Sequence, residues 1–397
     1  MPRKLNSRRG IVLAALPALV LLAACTPPLP PDVLAAKAES SIVCQTGDQA
    51  VSVPEDFAGS MMQVSVGLQG VCADQTVSEV AAGDPATLQI IDHAPTAEDL
   101  AAFAQNCPTA PIIVPAFGYA VGLAYDIIGL EGLILTPDVV AGMLNGTITS
   151  WEDPKIAEAN PGVDLTLLPE ITVLALDHPS GSVEAMTAWL AKEAPTVWTD
   201  GVTGTLSGAT TTYPTVADLM AELTVTEGTI AVVPVFEAIA NAVPVATFPV
   251  QDIVVAPDDT QLLKVGVGAT NITTDDKGNI FASPAIGGVP VEGNFDLAAS
   301  KIVLAEGQPL IGWPVVGVAH MLVCDDPSDP LPLSTAQYIV RLAGQGALET
   351  FGVTPLPEPI RIQTFAPLKV TVNLDDAGSA SSSASPSSSA SPAPTAS

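Results

Sequence analysis

Residues 133–163 read LILTPDVVAGMLNGTITSWEDPKIAEANPGV, and they decide how the rest of the chain is read. Thr136 supplies the side-chain oxygen that a helix N-cap needs. Pro137 suits the first helical position, where the amide has no partner inside the helix, and Asp138 favours the positive end of the helix dipole. The spacing predicts a helix that opens at Pro137 and stops at Gly146. Outward from it, strand-like and helix-like segments alternate. Residues 63–67 and 87–92 read as strands around a helix at 76–82, and 111–126 form a long β-rich stretch. Residues 171–176 read as a strand. Residues 182–193 read as a helix with Val183, Met186 and Leu190 on one face. Further strands are expected at 228–233 and 313–323, and a last helix at 334–342. Such alternation is the pattern of an α/β architecture. No internal repeat is present.

The ends of the chain read differently. Arg3, Lys4, Arg8 and Arg9 precede an apolar run over residues 11–22, and the run ends Leu22-Ala23-Ala24-Cys25. Charge, apolar segment, small residues and cysteine stand in the order of a bacterial lipoprotein signal peptide. Residues 1–24 are then removed and Cys25 is lipidated, which anchors the chain outside the cytoplasm at the cell membrane. Residues 25–37 begin with a proline-rich spacer, and residues 375–397 are almost entirely Ser, Ala, Pro and Thr, a composition that cannot bury a core. An external address permits disulfides. Cys44, Cys72, Cys107 and Cys324 allow three connectivities. The favoured one pairs Cys44 with Cys72, closing a short local loop, and Cys107 with Cys324, tying an early segment to a late one. Zinc at these cysteines is not expected, because no CxxC spacing occurs.

The chain of 397 residues has 42 acidic and 13 basic residues. Four of the basic ones lie before Cys25 and no acidic one does, so the exported part is strongly acidic. That excludes nucleic acid and anionic lipid headgroups as partners. Aromatic residues make up only 4%, which argues against a stacking platform for sugars or bases.

The 133–163 stretch resembles the extracytoplasmic phosphate-binding proteins of ABC importers. In that family a helix opening with Thr-Pro leads to Gly-x-Ile-Thr-x-Trp-x-Asp-Pro-x-Ile and then Asn-Pro-Gly. Here these are Thr136-Pro137, Gly146 to Ile156 with Trp151, Asp153 and Pro154 in place, and Asn160-Pro161-Gly162. With less clarity, residues 120–127 resemble the strand crossing into the second lobe and 228–236 a strand near the return crossing. Residues 313–323 and 352–357 resemble the closing strand and C-terminal signature. The likeness covers roughly residues 60–360. It implies an α/β fold of two lobes with a ligand cleft at the hinge, the first lobe being discontinuous (38–125 and 251–374) and the second spanning 126–250. It also implies a small anion such as phosphate as ligand, a membrane ABC permease as partner, and no cofactor. The matched residues of 133–163 are scaffold: they cap helices, turn the chain and pack Trp151.

The ligand loops depart from that family's pattern. The family's second-lobe run Arg-Ser-Asp-Gly-Ser-Gly-Thr corresponds to Leu176-Asp177-His178-Pro179-Ser180-Gly181-Ser182. Leu176 replaces the arginine and His178 an aspartate, while Ser180, Gly181 and Ser182 keep an amide and hydroxyl nest before a helix. In the first lobe, Leu68 stands where the likeness implies a ligand serine, and His93 where it implies a ligand aspartate. A charge-assisted bond contributes about 1.5–3 kcal/mol, so losing the guanidinium argues against high-affinity phosphate binding unless Arg341 or Arg361 takes its place. Two further readings stand beside this one. In one, the chain is a non-transport surface lipoprotein that keeps the fold for assembly or sensing. In the other, it is a metal-binding importer component that uses His93 and His178. Asp177-His178-Pro179-Ser180 has triad residue types, but sequence neighbours rarely form a triad and no Gly-x-Ser-x-Gly elbow occurs, so an enzyme is not expected.

Overall fold

The computed structural model describes residues 37, 39, 41–250, 253–257, 266, 270–284 and 312–370. The expected signal peptide, the expected lipidation site Cys25, the proline-rich spacer and the Ser/Ala/Pro tail lie outside the described residues. The strands, in chain order, are β1 (Gly47–Val53), β2 (Gln75–Ala81), β3 (Leu88–Ile91), β4 (Ile112–Tyr125), β5 (Thr172–Leu176) and β6 (Thr211–Tyr213). They continue with β7 (Thr229–Pro234), β8 (Phe248–Val250), β9 (Ile253–Val255), β10 (Thr270–Thr274), β11 (Ile280–Pro284) and β12 (Val316–Val323). Eight of them form one mixed sheet in the order β2-β1-β3-β12-β4-β7-β5-β6. β8 with β9 and β10 with β11 form small antiparallel pairs.

β4 joins the two halves of the sheet. Residues 112–120 pair antiparallel with β12, and residues 121–125 pair antiparallel with β7. All 14 residues of β4 are buried, as expected for a nearly unbroken apolar run covered on both faces. Pro115, which cannot donate to a ladder, sits opposite His320 where the β12 register shifts between Ala319 and His320. On one side of β4 lies the parallel set β1, β2 and β3, and on the other the parallel set β5, β6 and β7. The fold is therefore α/β with two lobes joined by shared strands.

The expected order of elements at 63–82 is reversed. Residues 63–67 lie inside a helix, Ser60–Gln69, and residues 76–81 lie in β2. In the helix, Met61, Val64 and Leu68 are buried at helical spacing, which a five-residue window of alternating apolar residues conceals. In β2, Gln75 and Val77 point inward with a period of two. The expected helix at 334–342 begins earlier, at Leu331–Ile339, with Pro332 in its first turn. It is followed by two more helices, Leu342–Phe351 and Glu358–Gln363.

Both disulfides form with the favoured pairing, at Cα–Cα distances of 5.3 Å for Cys44–Cys72 and 5.6 Å for Cys107–Cys324. The second lies in a small apolar cluster with Ile91, Phe103, Ile113 and Leu322. It fixes the end of β12 beside β3 and β4.

The 133–163 stretch folds as its capping residues dictate. Thr136 accepts a bond from the Val139 amide, the helix runs Pro137–Leu144, and Gly146 takes a φ of 77°. Asp153 caps a second short helix, Pro154–Ala159. Asn160 ties the two ends of the stretch together. Its Oδ1 accepts from the Ile134 amide at 2.8 Å and its Nδ2 donates to the Ile134 carbonyl at 2.8 Å. Trp151 is fully buried. Thr136→Ala is expected to cost about 1 kcal/mol, the usual worth of an N-cap, read as a shift in the denaturant unfolding midpoint.

Candidate ligand cleft

The carboxyl ends of β1, β3 and β5 point into one crevice, the position where open α/β sheets hold ligands. The turn after β1 carries Asp56, in a short 3-10 helix, Glu55–Phe57. The turn after β3 carries Asp92 and His93. The turn after β5 carries His178 and Ser180, which leads into the 13-residue helix Gly181–Glu193. These turns line a cleft of about 570 Å³ together with Glu55, Glu79 and Asp99. Among the described residues, no lysine or arginine lines it.

Each side chain is held by its local structure. Phe57 is fully buried, edge-on to Phe117 at 5.0 Å and Tyr119 at 4.9 Å, and it fixes the neighbouring Asp56. Ser180 caps the second-lobe helix, its side chain accepting from the Val183 amide. His93 lies between two carboxylates, with Nδ1 2.7 Å from Asp92 Oδ1 and Nε2 3.1 Å from Asp99 Oδ2. Its backbone carbonyl accepts a bond from Nδ1 of the buried His320, whose Nε2 accepts from the Ala282 amide.

Among the described residues, two hydrogen bonds reach across the cleft. The Gly181 amide donates to Asp92 Oδ2 at 2.6 Å, and the Ser182 hydroxyl donates to Asp56 Oδ2 at 2.7 Å. The donors that a helix N-terminus would offer to an anion thus meet carboxylates of the chain itself. The Asp92–Gly181 contact also borders a second cavity of about 190 Å³, lined in part by Tyr119, Glu184 and Trp189.

The charges follow from this packing. The bonds to Asp92 and Asp99 push the His93 imidazole up to about 10, against the penalty of burial, so it is an imidazolium at neutral pH. Burial raises Asp99, but bonds from His93 and Thr96 prevail and bring it down to about 2. Burial, with Asp92 nearby, raises Asp56 to about 7, even though the Ser182 bond lowers it. Burial also raises Glu184, one turn into the second-lobe helix.

The chain is 24% identical over 267 residues to the phosphate-binding protein PstS 2 of Mycobacterium tuberculosis, covering 66% of this chain and 67% of that one. The solved phosphate-bound PfluDING, a high-affinity periplasmic phosphate-binding protein, aligns with a TM-score of 0.56 at 17% identity. That alignment covers 81% of this chain and 93% of the other. A phosphate-binding protein from Stenotrophomonas maltophilia aligns with a TM-score of 0.54 at 13% identity, covering 81% and 93%. The chain is similar to phosphate-binding proteins in sequence and in fold. No protein-family model matches it.

In this chain the start of the second-lobe helix faces carboxylates of the first lobe. His93, Ser180 and His178 all reach the cleft, and Gly181 and Ser182 meet it from the second lobe. His178 is half-exposed, with Nδ1 3.0 Å from Asp177 Oδ1. Ser180 Oγ accepts the helix-capping bond from the Val183 amide. Both ring nitrogens of His93 face carboxylates, and among the described residues no group of three or more His, Cys, Asp or Glu is placed to hold a metal ion.

Arg341 and Arg361 do not enter the cleft. Arg341 donates to the Ser41 carbonyl, and Arg361 is engaged by Glu39 and Glu358. Leu68 is buried in the main core near the end of its helix, so the first-lobe correspondence drawn through it does not describe the cleft wall. Sequence reasoning missed Asp56 and Glu184, and it took Asp92 only as a neighbour of His93. The available signal for Asp56 was its place just past the carboxyl end of a parallel strand.

Proposed function

We propose that the chain is a lipid-anchored, extracytoplasmic solute-binding protein of the phosphate-importer type, which passes a small ligand to a membrane ABC permease. Its lobes divide near residues 125 and 250, and Cys25 carries the anchor. Ser180, Gly181 and Ser182 form the anion side of the site, with His93 and His178 beside it. Affinity for phosphate at neutral pH is low. The observation that carries this reading is the Gly181 amide bonded to Asp92, in a cleft whose lining among the described residues holds no lysine or arginine.

The expected strength follows from the donors that remain. Three amide or hydroxyl bonds at about 0.5–1.5 kcal/mol each sustain only about millimolar binding. Calorimetric titration of the purified chain with phosphate at neutral pH is expected to give a dissociation constant of about 1 mM or weaker. Micromolar binding would refute the low-affinity part of the reading.

The same bond favours a second reading, a non-transport surface lipoprotein that keeps the fold for assembly or sensing. In that case phosphate gives no heat at acidic or at neutral pH.

A further inference from the structure

We propose that Asp92 and Asp56 form a latch that holds the two lobes together across the cleft. The inference rests on taking the space between the lobes as the binding cleft.

Two features set these contacts apart from incidental ones. They land on successive residues of the second-lobe helix, Gly181 and Ser182, and they come from two different first-lobe turns. The approach also requires the missing side chain at Gly181. A Cβ there would stand 2.4 Å from the Asp92 carbonyl oxygen and 2.6 Å from its Cγ. Backbone and carboxyl carbon therefore close on the helix at distances that only glycine permits.

The first-lobe side of the latch is braced. The Tyr119 hydroxyl donates to the Asp92 carbonyl at 2.6 Å, and Asp92 Oδ1 faces the His93 imidazolium, which Asp99 holds in turn. The imidazolium offsets the charge that Asp92 brings into the closed cleft. A braced arm loses little conformational freedom when it docks, which is what a pre-organised contact requires. The tether also holds the carboxylate at high effective concentration, so a free anion meets an intramolecular competitor.

Two variants test the latch from opposite lobes. Asp92→Ala removes the arm. Gly181→Ala leaves every charge in place and wedges the contact with one methyl group, at a helix position where alanine is favoured. Small-angle scattering of the ligand-free chain is expected to show a larger radius of gyration for each variant than for the wild type, with circular dichroism unchanged. If Gly181→Ala, folded by that criterion, stays as compact as the wild type, the latch is overturned. A compact, folded Asp92→Ala overturns it equally.

A phosphate titration of Asp92→Ala separates the latch from the importer reading. An affinity gain of tenfold or more supports both. Expanded lobes with no gain leave the latch standing and count against phosphate as the ligand.

Discussion

Arg361→Ala is expected to cost the fold about 3 kcal/mol while leaving the phosphate response of the folded protein unchanged. Arg361 is buried, and its guanidinium is fully employed. Nε and Nη2 form a fork on the Glu358 carboxylate at 2.7 and 2.8 Å, and Nη1 donates to Glu39 and to the Val340 carbonyl. The side chain also lies over the Phe365 ring, 5.2 Å from its centroid. Removing one partner of a buried pair costs about 3–5 kcal/mol, because the other charge is left uncompensated. Glu358 is half-exposed and can rehydrate, which puts the expected loss at the lower end of that range. Arg361→Lys keeps the charge but not the fork, so an intermediate loss is expected. Denaturant unfolding gives the stability, and calorimetry of the folded variant gives the phosphate response. A variant of normal stability with an altered phosphate response would return Arg361 to the cleft.

That result also marks the limit of what the sequence could say. Caps, turns and the apolar run of β4 are local features, so the Thr136 cap, the Gly146 stop and the long central strand could be read directly. The disulfide pairing was legible because a short local closure and a long tie divide four cysteines sensibly. The segment at 60–81 misled because five alternating residues fit a strand as well as one face of a helix, and only packing of Met61, Val64 and Leu68 separates the two. The cleft was half legible. The loop before the Gly181 helix carries its own signature. Its occupants, Asp56 and Asp92, become site residues only when the strands β1 and β3 deliver them to a helix 89 to 126 residues away in the chain. No local pattern encodes that meeting. Arg341 and Arg361 were ambiguous for the same reason, since an arginine's role depends on which carboxylate reaches it.

Asp56→Asn is expected to stabilise the protein at alkaline pH, by on the order of 4 kcal/mol at most, and to change little near pH 4. Burial raises the Asp56 carboxyl from its ordinary 3.8 to about 7, with Asp92 and Glu237 adding to the rise and Ser182 and His178 opposing it. Glu55, Glu79, Asp99 and His93 complete the charged lining of the cleft. Because the folded value lies above the unfolded one, the carboxyl's contribution is fully present below pH 3.8 and is lost as pH rises to 7. Above that the loss stays constant, at about 1.4 kcal/mol for each pH unit between the two values. Asparagine keeps an oxygen for the Ser182 hydroxyl and has no charge to bury, so the variant escapes the loss.

Other groups shape the profile of both proteins. His93, raised to about 10, gives up stability as pH rises from 6.5 to 10. His320, lowered to about 4 chiefly by burial, gives up stability as pH falls from 6.5 toward 4, and Asp99 does so as pH falls from 3.8 toward 2. These contributions are common to wild type and variant, so the difference between their melting curves isolates Asp56. That difference should open between pH 4 and 7 and level off above. The same titration acts on the latch, since ionising Asp56 places a second carboxylate charge near Asp92 and opposes closure. A melting difference that stays flat from pH 4 to 8 would show that Asp56 is hydrated in the folded protein, and that the lobes do not close on it.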